Sequence, residues 1–155
     1  MTQEQKDILA NGQELIAFRV GCQEFCMDVM MVREVRGWTE ATVLPKSPSY
    51  VKGVINLRGS VLPIIDLSSR LGMNSVDPTS RNVVIVVQIV NRQIGILVDA
   101  VSDILTAHKA IIQPTPEISS NLIKSFVKGL LSVEGRMVGM ISLDQILHND
   151  ELEAL

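Results

Sequence analysis

Two cysteines, two histidines and three aspartates at the ends of apolar runs are the residues whose type and position could do chemistry. Cys22 and Cys26 are separated by three residues, one too many for a redox Cys-x-x-Cys. If Cys26 lies on a strand returning from a turn at Cys22, the two stand about 13 Å apart. A disulfide needs its Cα atoms at roughly 4.4 to 6.8 Å. Unpaired thiols suit a reducing cytoplasm, and Cys26, within an apolar run, reads as a small buried side chain more readily than as a nucleophile. His108 and His148 lie far apart with no ligand spacing around either, so both read as surface histidines and no zinc site is expected. Asp66, Asp99 and Asp144 could serve as catalytic carboxylates, yet each also opens a short helical segment whose first amides a carboxylate can cap. Gly53, Gly59, Gly95, Gly129, Gly135 and Gly139 form neither Gly-x-Gly-x-x-Gly nor Gly-x-x-x-x-Gly-Lys, so a phosphate cradle is missing from the pattern. No catalytic residue, metal or cofactor is expected.

Composition narrows the classes further. A chain of 155 residues makes one domain or at most two very small ones. Fourteen basic against seventeen acidic residues leave a net charge of −3, which argues against a nucleic-acid groove. Aromatic residues are 3% of the chain, too few for base-stacking platforms. At 46%, apolar residues supply an ample core and exceed what a disordered chain carries. No apolar run approaches the roughly 18 residues of a spanning helix, and the start MTQEQKDILANGQE lacks a basic segment leading into an apolar one. The expectation is a protein neither exported nor inserted in a membrane, with apolar area left on its surface for protein docking.

The elements that must position these residues are mostly strands. Residues 1–12 read as a polar, loosely held arm ending at Asn11-Gly12. LIAFRV, the turn Gly21-Cys22-Gln23-Glu24 and the apolar Phe25-Cys26-Met27 form a hairpin. Asp28 then caps a short helix through Val29, Val32 and Val35, closed by Gly37. A strand around Thr42 to Leu44 and a loop marked by Pro45 and Pro48 precede VKGVINLRGSVLPIIDL, two strands meeting at Arg58-Gly59. Downstream the order recurs. VVIVVQIV and IGILV form a hairpin ending at Asp99, and Ala100 to Leu105 fits a helical turn. Ile111-Ile112 suggests a strand, Pro114 and Pro116 mark a loop, and VKGLLSVEGRMVGMISL forms a last hairpin. Ser142 and Gln145 then have capping-box spacing before a final short helix.

Val-Lys-Gly opens both long hairpins, at Val51 and Val127, which indicates an internal duplication with copies at roughly 13–72 and 81–147 and a tail at 148–155. Each copy offers about five short strands, and closing such strands into a small barrel hides their edges. Two barrels side by side are expected; a single open sandwich is the alternative. Whether a strand crosses between copies is not legible.

The segments GQELIAFRVGCQEFCMDVMMVREV, SPSYVKGVINLRGSVLPIIDL and VVIVVQIVNRQIGILVDAVSDIL resemble the CheW family of bacterial chemotaxis coupling proteins, from Gln13 to about Leu147. The most specific part is Val51 to Leu67, with Asn56-Leu57-Arg58-Gly59 and Pro63-Ile64-Ile65-Asp66, backed by Gly95 and by Val98-Asp99. The resemblance implies an all-β fold of two five-stranded SH3-like barrels with short helices. It implies a non-enzymatic, cytoplasmic adaptor recruited to membrane receptor arrays; because the duplication already supplies the second barrel that a lone barrel would seek by dimerising, the isolated protein is expected to be mostly monomeric. Its partners would be the histidine kinase CheA and the cytoplasmic tip of chemoreceptors. At Phe25-Cys26 the family more often has an aromatic followed by Gly, so the Cys side chain must find room.

By the same resemblance Val32, Glu34, Arg58, Val84 and Ile104 are the receptor-facing set, and Gly53, Val54 and Gly95 affect kinase attachment, directly or through packing. Val32 and Val84 are expected on one apolar docking surface. Arg58 is expected to reach Glu34, on the first helix, through a two-bond fork. A ligand-sensing module or enzyme with its site between the barrels, and a small-barrel nucleic-acid binder, are the competing classes.

Overall fold

The computed structural model describes residues 14–74, 77–89, 91–106, 111–113 and 125–147. The expected N-terminal arm, His108, the loop at Pro114 and Pro116, and the tail from His148 lie outside them. Strands β1 (Glu14–Val20) and β2 (Gln23–Asp28) form the first hairpin, with Gly21 at φ +62° in its two-residue turn. Asp28 accepts the Met30 N–H and opens a single 3-10 turn, Val29–Met31. There the expected helix stops. Residues Val32–Gly37 extend as β3, because VREVRG alternates half-buried and exposed positions with the strand period of two and carries β-branched Val32 and Val35. Strands β4 (Val51–Leu57) and β5 (Ser60–Asp66) lead into a one-turn helix α1 (Leu67–Arg70). Asp66 caps α1 by accepting the Ser68 N–H at 3.1 Å, and pairs with Lys52 at 3.6 Å.

Strands β6 (Val83–Ile89) and β7 (Arg92–Val98) form the next hairpin. Asp99 does not cap a helix: its carboxylate accepts the Gly21 N–H at 2.8 Å, 78 residues away in sequence. The expected helical turn after it is strand β8 (Ala100–Thr106), drawn out by pairing with β1. Strands β9 (Ile111–Gln113), β10 (Val127–Val133) and β11 (Arg136–Ile141) and helix α2 (Leu143–Leu147) complete the described chain. At the start of α2 it is Ser142 Oγ, not Asp144, that accepts the Gln145 N–H, at 3.5 Å.

The duplication is written into the backbone. Arg58 and Gly59 take φ +51° and +85° in the β4–β5 turn; Glu134 and Gly135, 76 positions on, take +48° and +81° in the β10–β11 turn. Such turns, left-handed at both central residues, match the twist of the strands they join. Both hairpins also carry a register shift just after their first residue, between Val51 and Gly53 and between Val127 and Gly129. The sheets nevertheless do not coincide with the copies. One runs β8-β1-β2-β11-β10-β9 and the other β3-β6-β7-β5-β4. Each copy therefore lends its first hairpin to the other copy's sheet, where β2 pairs parallel with β11 and β7 parallel with β5. Among the described residues the sheets hold six and five strands. The difference is one element: β9 pairs with β10 at Leu130↔Gln113, while its counterpart, the strand expected at Thr42 to Leu44, is a single bridge, Thr42↔Val54.

Three apolar clusters result. Leu15, Ala17, Cys26, Leu105, Leu131, Val138 and Met140 fill the inside of the six-stranded sheet. Ile55, Leu57, Leu62, Ile64, Val84, Val86 and Leu97 fill the five-stranded one. Residues three strands or more apart in one sheet share a cluster, Leu105 on β8 with Leu131 on β10 and Val84 on β6 with Ile55 on β4, so each sheet curls round its own core. The third cluster lies between the sheets and is larger than either, with Ile16, Phe18, Phe25 and Met27 from one facing Ile65, Ile85, Ile96 and Val98 from the other. Strands β1 and β6 are thus buried on both faces, which explains why VVIVVQIV does not alternate. Cys26 is fully buried opposite Ala17, and this small partner makes room for the thiol. Burial pushes that thiol up to about 12, whereas Cys22 is exposed in the turn.

Two outcomes follow from this architecture. One thiol per chain, Cys22, should react with a disulfide reagent at neutral pH, the second only on unfolding; rapid native reaction of both would contradict the packing. Fragments 1–76 and 77–155, each lacking the hairpin that completes its sheet, should be unfolded alone by circular dichroism and regain strand signal when mixed.

Candidate docking site

The one charged site that joins residues singled out in the sequence is built on β3 and the tip of the β4–β5 hairpin. Period-two alternation puts Glu34 and Arg36 on the same side of β3, both half-buried. Arg58 occupies the first left-handed turn position, and the turn is fixed by Gly59 N–H donating to Asn56 Oδ1 at 2.9 Å. From there Arg58 Nη2 donates to Glu34 Oε2 at 2.8 Å, while Arg36 Nη1 donates to Glu34 Oε1 at 3.2 Å. The expected contact between Arg58 and Glu34 is present, with two differences. Glu34 lies on a strand, and its two oxygens go one to each arginine instead of both to an Arg58 fork. The Arg58 hydrogen bond, then the charges and hydrogen bond of the remaining arginine contacts, hold the Glu34 carboxyl below its ordinary value of 4.5. The Arg58 side chain stays 69% exposed, so its outer face is available to a second acceptor.

Beside Arg58 an open groove of about 1040 Å3 runs along the five-stranded sheet, lined by Leu44, Pro45, Val54, Val61 and Pro63 and by Arg92. Val61 is largely exposed in this groove, among the polar Ser60, Gln88, Asn91 and Gln93, so the surface near the arginine is mixed in character. Val54 is half-buried, and its backbone is bridged to Thr42 by two hydrogen bonds of 2.8 Å. Gly53 is buried at φ +144°, and a Cβ there would run into the backbone of Thr42. Gly95 is packed equally tightly: a Cβ would come within 2.6 Å of Ile64 Cδ1 and 2.7 Å of Val84 Cγ1. Neither glycine offers a side chain or an exposed surface, so each acts on any partner through the packing of its strand.

Of the residues expected to face a receptor, the structure brings Glu34 and Arg58 into contact and puts half-buried Val32 two residues before Glu34, packed against the central core. Val84 does not belong on a docking surface. It is 1% exposed inside the five-stranded sheet, because a strand buried on both faces leaves no apolar side chain outward. Ile104 is 52% exposed but belongs to the other sheet, on β8 opposite Ile16. Beside it Asp103 shares Arg136 with Glu24, at 3.2 and 3.0 Å, tying β8, β2 and β11 together. Sequence reasoning missed Arg36 because a helical reading of β3 hides its alignment with Glu34; the alternation in VREVR was the available signal. Nothing in sequence pairs Arg136 with Glu24, 112 residues away. Among the described residues no group of three or more His, Cys, Asp or Glu side chains could hold a metal ion.

Comparison with known proteins assigns this arrangement. The model of the CheW-like domain matches residues 14–151. The chain belongs to the CheW-like family. It is 56% identical over 99% of both chains to the chemotaxis protein CheW of Rhizobium meliloti. To that of Klebsiella aerogenes it is 36% identical, over 91% of this chain and 85% of the relative. Among solved structures, the scaffolding protein TtCheW from Thermoanaerobacter tengcongensis superposes with a TM-score of 0.80 at 26% identity, over 90% of this chain and 95% of that one. The all-β fold of two SH3-like barrels that the resemblance implies is that of the CheW-like domain.

Val84→Thr, which keeps volume but buries a hydroxyl, should cost about 1–3 kcal/mol in urea unfolding. Ile104→Thr should stay within about 0.5 kcal/mol of wild type. Equal, small effects would return Val84 to the surface. The Glu34 carboxyl, with its folded value depressed, keeps the charge pair intact above the ordinary carboxylate value; the pair is lost only as pH falls through the depressed one. Any binding that depends on it should be flat with pH across neutrality and decline only in acid.

Proposed function

We propose that the chain is a non-enzymatic adaptor that couples the cytoplasmic tip of chemoreceptors to the histidine kinase CheA, working in the cytoplasm and recruited to membrane receptor arrays. The observation that carries this reading is the CheW-like domain matched over residues 14–151, in relatives named as chemotaxis and scaffolding proteins. The geometry supports it. A binding protein needs rigid elements that present exposed groups, and Arg58, held by Glu34 at the tip of a tight hairpin, is a preorganised donor on such an element. Receptor contact is assigned to Val32, Glu34, Arg58 and Ile104. Kinase attachment is assigned to the β4 edge at Val54, with Gly53 and Gly95 shaping it from within.

A ligand site between the sheets finds no support, since that space is filled by the largest apolar cluster. The isolated protein is taken as a monomer, its two sheets already covering one another.

In a sedimentation assay with receptor cytoplasmic fragments, kinase should reach the pellet only when this chain is present. Kinase recovered equally without it, or ATP hydrolysis by the chain alone, would contradict the adaptor reading. Arg58→Lys and Glu34→Gln should each weaken receptor capture several-fold with unchanged unfolding midpoints. The double variant should be little worse than either, as coupled residues require. Additive losses would show that the pair does not act as a unit.

A further inference from the structure

A cation set against two aromatic rings joins the two halves of the duplication. Arg70, at the end of α1, holds its guanidinium carbon 4.4 Å from the centre of the Tyr50 ring and 4.8 Å from that of Phe126. Its Nε–H donates to the carbonyl oxygen of Ile146 in α2 at 3.0 Å. Tyr50 and Phe126 are equivalent positions of the two copies: the Tyr50 carbonyl accepts the Asp66 N–H and the Phe126 carbonyl the Ser142 N–H, both at 2.8 Å. Arg70 and Ile146 are equivalent too, 76 residues apart. The rings therefore come as a symmetric pair, one leading into β4 of one sheet and the other into β10 of the other, while only one copy supplies the cation. Ile146 is fully buried, and a second arginine there would set like charge against like. A guanidinium suits the place because it is planar and weakly hydrated, and can lie against two rings while its Nε–H still donates.

The apolar core between the sheets resists separation but is non-directional, so it does little to fix the angle at which they pack. A cation held by two rings and a carbonyl is directional. We infer that Arg70 is a positioning residue that sets the orientation of the two sheets, and with it the spacing between the Arg58–Glu34 site on one sheet and the Ile104 surface on the other. The second half of this inference rests on the adaptor reading; the first does not.

The test is a distance. Cys22 is exposed and takes a spin label, Cys26 is buried and does not, and Val61→Cys, on an exposed position of β5, supplies a second label on the other sheet. Pulsed dipolar spectroscopy on the full chain should give one narrow distribution. With Arg70→Gln it should shift or broaden while strand content by circular dichroism is retained, and Arg70→Lys should recover it only in part. A distribution for Arg70→Gln that superposes on the parent's would overturn the inference. Should that variant not fold, Phe126→Leu removes one ring while keeping apolar volume and must give the same shift; an unchanged distribution overturns the inference equally. No partner is present in this measurement, so its outcome is independent of the adaptor reading. In the sedimentation assay, Arg70→Gln should lower the kinase carried down by receptor more than it lowers binding to either partner alone. A shifted distance with unaltered bridging would overturn the functional half.

Discussion

Burial of the central strands on both faces is the constraint on which the rest of the molecule depends. β1, β2, β6 and β7 each send one row of side chains into a sheet's own core and the other into the space between sheets. A single small curled sheet could bury only one row and would leave the other in water. Fully burying a Val, Ile, Leu or Phe is worth about 1.5–3 kcal/mol, so leaving Ile16, Phe18, Ile85 and Val87 exposed would cost much of a domain's net stability. The two sheets are accordingly one folding unit. The exchange of first hairpins reinforces this, since neither copy contains all the strands of either sheet.

That constraint also decides what the surface can offer. Because most apolar side chains of the central strands are consumed by packing, the large apolar residues exposed among the described residues lie next to hairpin turns (Val61, Met137), on edge strands (Val35, Ile104) or in connections (Met30, Val43). Arg58 stands at such a tip and Ile104 on such an edge. The central strands hold these positions still. Gly95 illustrates the dependence: it permits Ile64 and Val84 to close over it, and so fixes the strands that carry the groove without lining the groove itself. The polar interactions are local fasteners laid over this frame. Asp99 ties the first hairpin's turn to the end of β7, and Arg136 gathers β2, β8 and β11 at the outer end of the six-stranded sheet.

Much was legible in the residues because it depends on local pattern. Strand-forming, β-branched runs located the hairpins, Arg58-Gly59 marked a turn, and the repeated Val-Lys-Gly announced a duplication that the backbone repeats down to its register shifts. Asp66 as a cap needs only the amides two and three residues ahead, so it too could be read. The two helical misreadings share one cause. After Asp28 and after Asp99, a capping residue followed by apolar residues satisfied the rule for a helix start, but hydrogen-bond partners on β6 and β1 drew both segments into strands.

What the sequence by itself determined is therefore the strand content, the two-copy plan, the absence of catalytic spacing among its reactive side chains, and the family its motifs resemble, all carried by near neighbours along the chain. Tertiary structure alone decided which hairpin completes which sheet, that Val84 faces inward, that Glu34 is shared by Arg36 and Arg58, and that Arg70 lies against rings from both copies. Each of these depends on groups far apart in sequence, and pairing between distant strands is set by the burial of whole faces. A one-residue change of register would send each side chain to the opposite face without altering any local pattern.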